Sequence, residues 1–246
     1  MNTLPSAIWG SARQGWRGKL PPRYSDRWDE RFRHLALPML DEGTQVLDVG
    51  SGRRPILEPQ LRLNTCRYVG LDISRSELDC APAGAYDDVV VADVETFQPQ
   101  LVGRFGLILS WWVLEHVRRL DQALENLRRY THPDGGRLVA FLSGRRSLAG
   151  MANRLFPYRL TCWLLARLNE RDPDSIFPAY YDRCTYGELT QMSSSWRSFK
   201  VIPVFQNGLY LRSVRPLLGL YLGYEEWAYQ AGRDNLATHY LLVADS

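Results

Sequence analysis

Val46-Leu47-Asp48-Val49-Gly50-Ser51-Gly52 is the stretch that decides the fold. An apolar run from Gln45 to Val49 carries an acid near its end and then a glycine pair spaced G-x-G. A buried parallel strand that delivers its C-terminal end into a tight turn has this pattern. Glycine is needed where the backbone turns sharply and a ligand must approach without a Cβ in the way. Such a turn is expected to open onto a helix N-terminus, at the sheet edge where α/β proteins hold nucleotide-like ligands. G-x-G alone occurs in many loops, so the residues that follow must select the ligand.

A dinucleotide loop, G-x-G-x-x-G, would place a third glycine at position 55, which is Pro55 here. Arg53 and Arg54 make the loop bulky, and Asp48 would repel a pyrophosphate while favouring a cationic or amine-bearing ligand. A cofactor with a sulfonium and an α-amino group fits better. Three further apolar runs follow in the same style. Tyr68 to Asp72 ends in an acid that lies 72 − 50 = 22 positions beyond Gly50, near the spacing of about 20 at which a carboxylate accepts ribose hydroxyls. Val89 to Val94 contains Asp93, and Phe105 to Trp112 runs into Val113-Leu114-Glu115-His116-Val117. Each carboxylate taken singly reads as a loop or cap residue. Parallel strands, however, bring all these ends to one edge, so together they predict a single cofactor cleft.

With these motifs in place, the chain resembles the class I S-adenosylmethionine-dependent methyltransferases, in particular the small-molecule group called type 11. The resemblance covers residues 28–141, and Thr238 to Ala244 looks like that fold's closing strand. It implies a Rossmann-like three-layer α/β sandwich with a seven-stranded, mostly parallel sheet of order 3-2-1-4-5-7-6. By the same resemblance, Asp48, Gly50, Ser51 and Gly52 lie against the methionine part of S-adenosylmethionine. Asp72 takes the ribose, with Ile73 on the adenine. Asp93 and Val94 flank the adenine amino group, and Ser110 and Trp111 line the cofactor. Leu114-Glu115-His116-Val117 matches the family's "LEHV" helix start, and His132-Pro133-Asp134-Gly135-Gly136 its "L-P-G-G" turn. Two departures stand out: Arg54 replaces the family's third loop glycine, and an aspartate is inserted in Pro-Asp-Gly-Gly.

Composition agrees. The 246 residues, 45% hydrophobic, suffice for one substantial core, so a single domain is expected. A formal charge of +3 with scattered basic residues does not point to nucleic acid. Cys66, Cys80, Cys162 and Cys184 show neither C-x-x-C spacing nor a histidine cluster, so reduced thiols in a cytoplasm, with no metal site, are the expectation. No secretory signal is read in residues 1–10, and no run nears the ~18 apolar residues of a membrane span.

Within that single domain, residues 1–35 read as an arm followed by a lid helix, with Ser25 or Asp26 as N-cap and Tyr24 placed to reach the acceptor. Asp121 to Tyr130 reads as an amphipathic scaffold helix. Residues 147–196, between the fifth and sixth strands, are too long for an ordinary connection and read as a helical, aromatic cap. Its apolar helix, Leu148 to Leu168, admits three readings: core packing, a lipophilic acceptor pocket, or peripheral membrane contact. Tyr180 and Tyr181, with Trp112, are further acceptor candidates. The aromatic region Leu209 to Tyr229 completes the cap or forms a homodimer face.

Methyl transfer is an in-line displacement, so alignment matters most, and a hydroxyl acceptor also needs its proton removed. His116 is the candidate base, with Glu115, a water or no base as alternatives; His34, His132 and His239 read as structural. The expected function is S-adenosylmethionine-dependent methylation of a small or lipophilic metabolite, at oxygen by preference, leaving S-adenosylhomocysteine. The alternative is a non-catalytic methyltransferase-fold partner subunit, and a nicotinamide oxidoreductase is disfavoured by Pro55.

Overall fold

The computed structural model describes residues 20–148, 150–151, 178–211 and 214–246. Its strands are β1 (Gln45–Val49), β2 (Arg67–Asp72), β3 (Asp88–Val91), β4 (Leu107–Trp111), β5 (Arg137–Ser143), β6 (Ser198–Val204) and β7 (His239–Asp245). They form one seven-stranded sheet of order β3-β2-β1-β4-β5-β7-β6, as expected. β1 to β5 are joined by parallel pairings, and β7 runs antiparallel between β5 and β6. The C-terminal ends of β1, β2, β4 and β5 therefore share an edge with the start of β7, where His239 stands opposite Ser143.

Both faces of the central strands are covered, which is why they are apolar without alternation. On one face Val46, Leu107, Leu109, Val139, Phe141 and Leu241 pack against Trp28, Phe32 and Ala36 of helix α1 (Trp28–Ala36). Helix α2 (Arg75–Asp79) follows β2 and is capped by the Ser74 hydroxyl, which accepts from Glu77 N. On the other face Leu47, Val49, Ile108, Leu138 and Leu142 meet Leu120, Ala123, Leu124, Leu127 and Tyr130 of helix α3 (Leu120–Tyr130). Helix α4 (Tyr186–Gln191) adds Leu189 to that layer. Helix α5 (Arg215–Gln230) lies in the β6–β7 connection, which leaves from the same edge as the end of β5.

Several expectations need correction. The turn at Gly50–Gly52 does not open onto an α-helix: between β1 and β2 there is only a 3-10 turn, Pro59–Leu61. Pro55 and Pro59 remove backbone donors and disfavour helix at the residues before them. Tertiary partners take up the remaining backbone groups. Asp48 Oδ2 accepts from Ile56 N at 2.7 Å, the Tyr68 hydroxyl from Leu57 N at 3.1 Å, and Arg62 Nε donates to Leu57 O at 2.9 Å.

Leu114–His116 is likewise a 3-10 turn, and α3 starts only at Leu120. Neither Ser25 nor Asp26 caps α1; its N-cap is Arg27, while the Ser25 hydroxyl donates to Pro22 O at 2.6 Å inside the turn Pro22–Ser25. Asp93 lies beyond the end of β3 rather than in it. Most of the 147–196 cap, including Leu155 to Leu168, falls outside the described residues. What is described of its later half is core: Tyr181, Cys184, Leu189 and Trp196 are buried in the α3 layer.

Candidate cofactor and acceptor site

Gly50 and Gly52 both adopt left-handed backbone, with φ of 67° and 49°. At Gly50 this is compounded by crowding, since a Cβ there would lie 2.2 Å from Cγ2 of Val113. The turn is tied to β2 by Gly50 N donating to Leu71 O at 2.7 Å. It is tied again by Gly52 N donating to Asp72 Oδ2 at 2.9 Å. The other carboxylate oxygen of Asp72 accepts from Ser74 N at 2.8 Å. Each oxygen thus keeps acceptor capacity beyond its one backbone partner, and the side chain is held rigidly at the last position of β2. Burial pushes the Asp72 carboxyl up, and the N–H groups of Ser74 and Gly52 pull it back.

Ile73 follows Asp72 with 61% of its surface exposed, a bare apolar face beside a fixed carboxylate. On the neighbouring strand end Asp93 is half-buried and its Oδ1 accepts from Glu95 N at 2.9 Å. Val94 is buried behind it. Ser110 is buried at the end of β4, and its hydroxyl has no hydrogen-bond partner among the described residues. A carboxylate with spare acceptors, an exposed apolar side chain, a second carboxylate one strand away and an orphaned buried hydroxyl fit a nucleoside with an amino-acid tail. Asp72, Ile73, Asp93, Val94, Ser110 and the Gly50-Ser51-Gly52 turn would hold it.

Asp48 does not belong to that list as a side chain. It is fully buried, and its Oδ2 accepts from the Tyr68 hydroxyl at 2.6 Å as well as from Ile56 N. The period of two along a strand puts it on the face of Val46, under the loop rather than in the cleft. It shapes the turn instead of meeting a ligand. Trp111 is similar: its ring stacks on Phe141 with centroids 4.5 Å apart and meets Phe32 edge-on at 5.0 Å, inside the α1 layer.

Trp112 is the residue that takes the strain. Its φ is 56°, unusual for a bulky side chain, and its N–H donates to Phe141 O at 2.7 Å. That places its indole, whose Nε1 is buried without a partner among the described residues, at the end of β4. His116 follows in the 3-10 turn, half-buried, with Nδ1 3.0 Å from Pro178 O. With Nδ1 donating to that carbonyl, Nε2 carries the lone pair a base needs. Glu115 is buried; its Oε1 accepts from Ser143 N at 3.2 Å, and burial pushes its carboxyl up. It anchors the turn to β5.

The acceptor candidates divide. Tyr180 and Tyr181 both donate their backbone N–H to Glu115 O, each at 3.0 Å. Tyr181 is buried in the core cluster and borders the same cavity as Tyr180. Tyr180 remains exposed, with the Arg118 guanidinium 5.0 Å from its ring centre, and lines a cavity of about 460 Å³ together with Arg118, Arg145 and Asp182. Tyr24 is a correction too. It is 2% exposed, donates its hydroxyl to Glu225 and accepts from Gly208 N at 2.9 Å. Its environment is the β6–β7 connection, not the cleft.

Asn126, unread in the sequence, and His239, read there as structural, support the site. Asn126 of α3 is fully buried and donates to Val94 O at 2.9 Å and Glu95 O at 3.0 Å, which fixes the strand end at Asp93. The signal was an amide among Ala123, Leu124 and Leu127 on an apolar helix face. His239 stacks on Phe141 with centroids 5.5 Å apart. The Thr238 hydroxyl donates to Val204 O at 2.8 Å, so at 3.0 Å it accepts from His239 Nδ1, leaving Nε2 of the neutral ring toward Asn207 Nδ2 at 3.5 Å. Asn207 Oδ1 accepts in turn from Leu148 N at 3.0 Å, linking the end of β6 to the segment after β5.

Known proteins with this arrangement are consistent. A ubiquinone biosynthesis O-methyltransferase of Chelativorans sp. (strain BNC1) is 29% identical over 115 residues, 45% of this chain and 45% of that one, so the match spans under half of the relative. An S-adenosylmethionine-dependent methyltransferase of Mesorhizobium loti superposes with a TM-score of 0.54 at 17% identity, over 88% of this chain and 96% of its own. The geranyl diphosphate C-methyltransferase of Streptomyces coelicolor gives 0.53 at 14% identity, over 89% and 74%. These two structures share the fold. A family model described as a methyltransferase domain matches residues 19–171, well over half of the sequence, and the chain belongs to that family, the class I S-adenosylmethionine-dependent methyltransferases.

Proposed function

We propose that this chain transfers the methyl group of S-adenosylmethionine to a hydroxyl of a small or lipophilic acceptor, leaving S-adenosylhomocysteine. The observation that carries the reading is Asp72, with both carboxylate oxygens positioned by Gly52 N and Ser74 N beside the exposed Ile73. The curated relative that methylates at oxygen in ubiquinone biosynthesis supports the choice of a hydroxyl.

S-adenosylmethionine, when bound, supplies an electrophilic methyl on a sulfonium. The chain's residues do the rest. Asp72 accepts from the ribose hydroxyls, Ile73 and Val94 flank the adenine, and Asp93 accepts from its amino group. The Gly50–Gly52 turn leaves room for the amino-acid tail. Trp112, held in strained backbone, forms a wall against which the acceptor aligns, and alignment is the main source of rate in such a displacement. His116 Nε2 receives the acceptor's proton, while the Pro178 carbonyl holds Nδ1–H and so the ring's orientation. Tyr180 lies on the acceptor side with Arg118.

Titration calorimetry with S-adenosylmethionine and S-adenosylhomocysteine tests the reading. Asp72→Ala is expected to weaken both by about 10- to 100-fold, the loss of charge-assisted hydrogen bonds. Unchanged affinity in that variant would sink it. The non-catalytic partner reading is favoured by one feature, the lack of an α-helix after the glycine turn. Tight cofactor binding with no turnover over phenols, sugars and lipid alcohols would decide for it.

A further inference from the structure

Helix α5 is apolar on two sides. Leu218, Tyr221, Leu222, Glu225 and Ala228 face inward. Leu217, Leu220, Tyr224 and Trp227, spaced 3, 4 and 3 residues apart, fall on one stripe of the outer surface. Leu220 is 74% exposed and Trp227 53%. Tyr224 links them, with ring centroids 5.9 Å from Tyr221 and 6.1 Å from Trp227. Gly219 and Gly223 on the same surface have open space where a side chain would be.

Among the described residues the acids near this stripe are buried or paired, whereas one arginine is not. Glu225 is buried and bound by Tyr24 and by Asn207 N, and Glu226 is paired with Arg23. Arg146, after β5, is exposed and has no ion-pair partner among the described residues. Arg146 is near enough to Tyr224 for its charge to act on that phenol. The size of the stripe matters as well. Four side chains are far short of the roughly 20–30 residues a side that a stable dimer buries, but they suffice for shallow insertion into a lipid interface. Leucine, tyrosine and tryptophan beside an unpaired arginine are the side chains such an interface takes, apolar below and basic at the headgroups.

We infer that the outer stripe of α5, Leu217-Leu220-Tyr224-Trp227 with Arg146, docks the protein on the surface of a bilayer containing anionic lipid. Docking is independent of methyl transfer: either holds if the other fails.

Flotation of the full chain with phosphatidylglycerol-containing vesicles, against pure phosphatidylcholine vesicles, tests it. The wild type is expected to float with the anionic vesicles and to be released by high salt. Leu220→Glu with Trp227→Ser is expected to lower partitioning about tenfold or more. Arg146→Gln should lower it about fivefold. Circular dichroism and S-adenosylhomocysteine binding of each variant establish that it is folded, and sedimentation velocity follows its mass. Failure of the wild type to float, or equal flotation of the folded double variant, overturns the inference. So does a wild-type dimer that the double variant converts to monomer, which would assign the stripe to a second copy.

Discussion

Asp48 and His239 are buried titratable groups whose effects on folding oppose each other. Burial raises the Asp48 carboxyl to about 7, against the hydrogen bonds from Tyr68 and Ile56 N that pull it down. Between about pH 4 and 7 the native protein keeps a proton that the unfolded chain has released, so this group's contribution falls as pH rises. Burial lowers His239 to about 3. Between about pH 3 and 6.5 the unfolded chain binds a proton that the native state does not, so this contribution rises with pH. In the shared window the two slopes, each up to about 1.4 kcal/mol per pH unit, offset one another. Urea unfolding of Asp48→Asn across pH 4 to 6.5 is expected to show stability climbing with pH more steeply than in the wild type. Parallel profiles would mean that Asp48 is ionised in the fold throughout. At Gly50 the constraint is steric: Gly50→Ala is expected to cost about 1–3 kcal/mol, through its positive φ and the contact with Val113. The double variant with Val113→Ala should recover the steric part, as read by thermal melting. The acids themselves were legible at strand ends. Their roles were not, because a one-residue step along β1 turns Asp48 from the cleft to the α1 layer, whereas Asp72 closes its strand.

Individual elements were legible where periodicity was strong, as in α3 and the central strands, and misread where tertiary partners replaced local ones. G-x-G argues for strand, turn and helix. Pro55 and Pro59 argued against the helix, but the groups that satisfy the loop, Tyr68 and Arg62, lie further along the chain. Tyr24 shows the same limit over a greater span, since its partner Glu225 is 201 positions away. Tyr24 and Arg23 fasten the N-terminal turn to the β6–β7 connection. Arg23 Nε donates to Phe205 O at 2.9 Å, and Asn207 N donates to Glu225 Oε1 at 2.7 Å. Removing the Tyr24 hydroxyl leaves Gly208 N and a buried glutamate oxygen short of a partner. Tyr24→Phe is therefore expected to lose about 1–3 kcal/mol of stability in urea unfolding while its affinity for S-adenosylhomocysteine stays at the wild-type value. A folded variant of unchanged stability but weakened cofactor binding would restore Tyr24 to the lid role.

Across the whole molecule, the single cofactor edge was readable because four similar strand ends in succession demand one cleft, whereas the strand order, the one observed, was implied by the methyltransferase resemblance. The acceptor side was less readable. As proposed, it comprises Trp112, His116 and the Pro178–Tyr180 loop, and the contact of His116 Nδ1 with Pro178 O spans 62 positions that no local pattern reports. On the proposed function the sheet divides into a cofactor half, β1 to β3, and an acceptor half from β4 to β6, with contact at Ser110 and Trp112. Residues on separate halves without shared partners should act independently. His116→Asn is expected to lower turnover about 10²- to 10⁴-fold and leave S-adenosylhomocysteine affinity unchanged, since its ring is bound to Pro178 O and to no cofactor-side residue. Asp72→Asn should do the reverse, weakening the cofactor while its turnover under saturating cofactor stays within a few-fold. The double variant should then show the sum of the two free-energy losses in kcat/KM for the cofactor. A His116→Asn variant that loses affinity in calorimetry and keeps its turnover would place the imidazole on the cofactor half and leave the acceptor's proton to water.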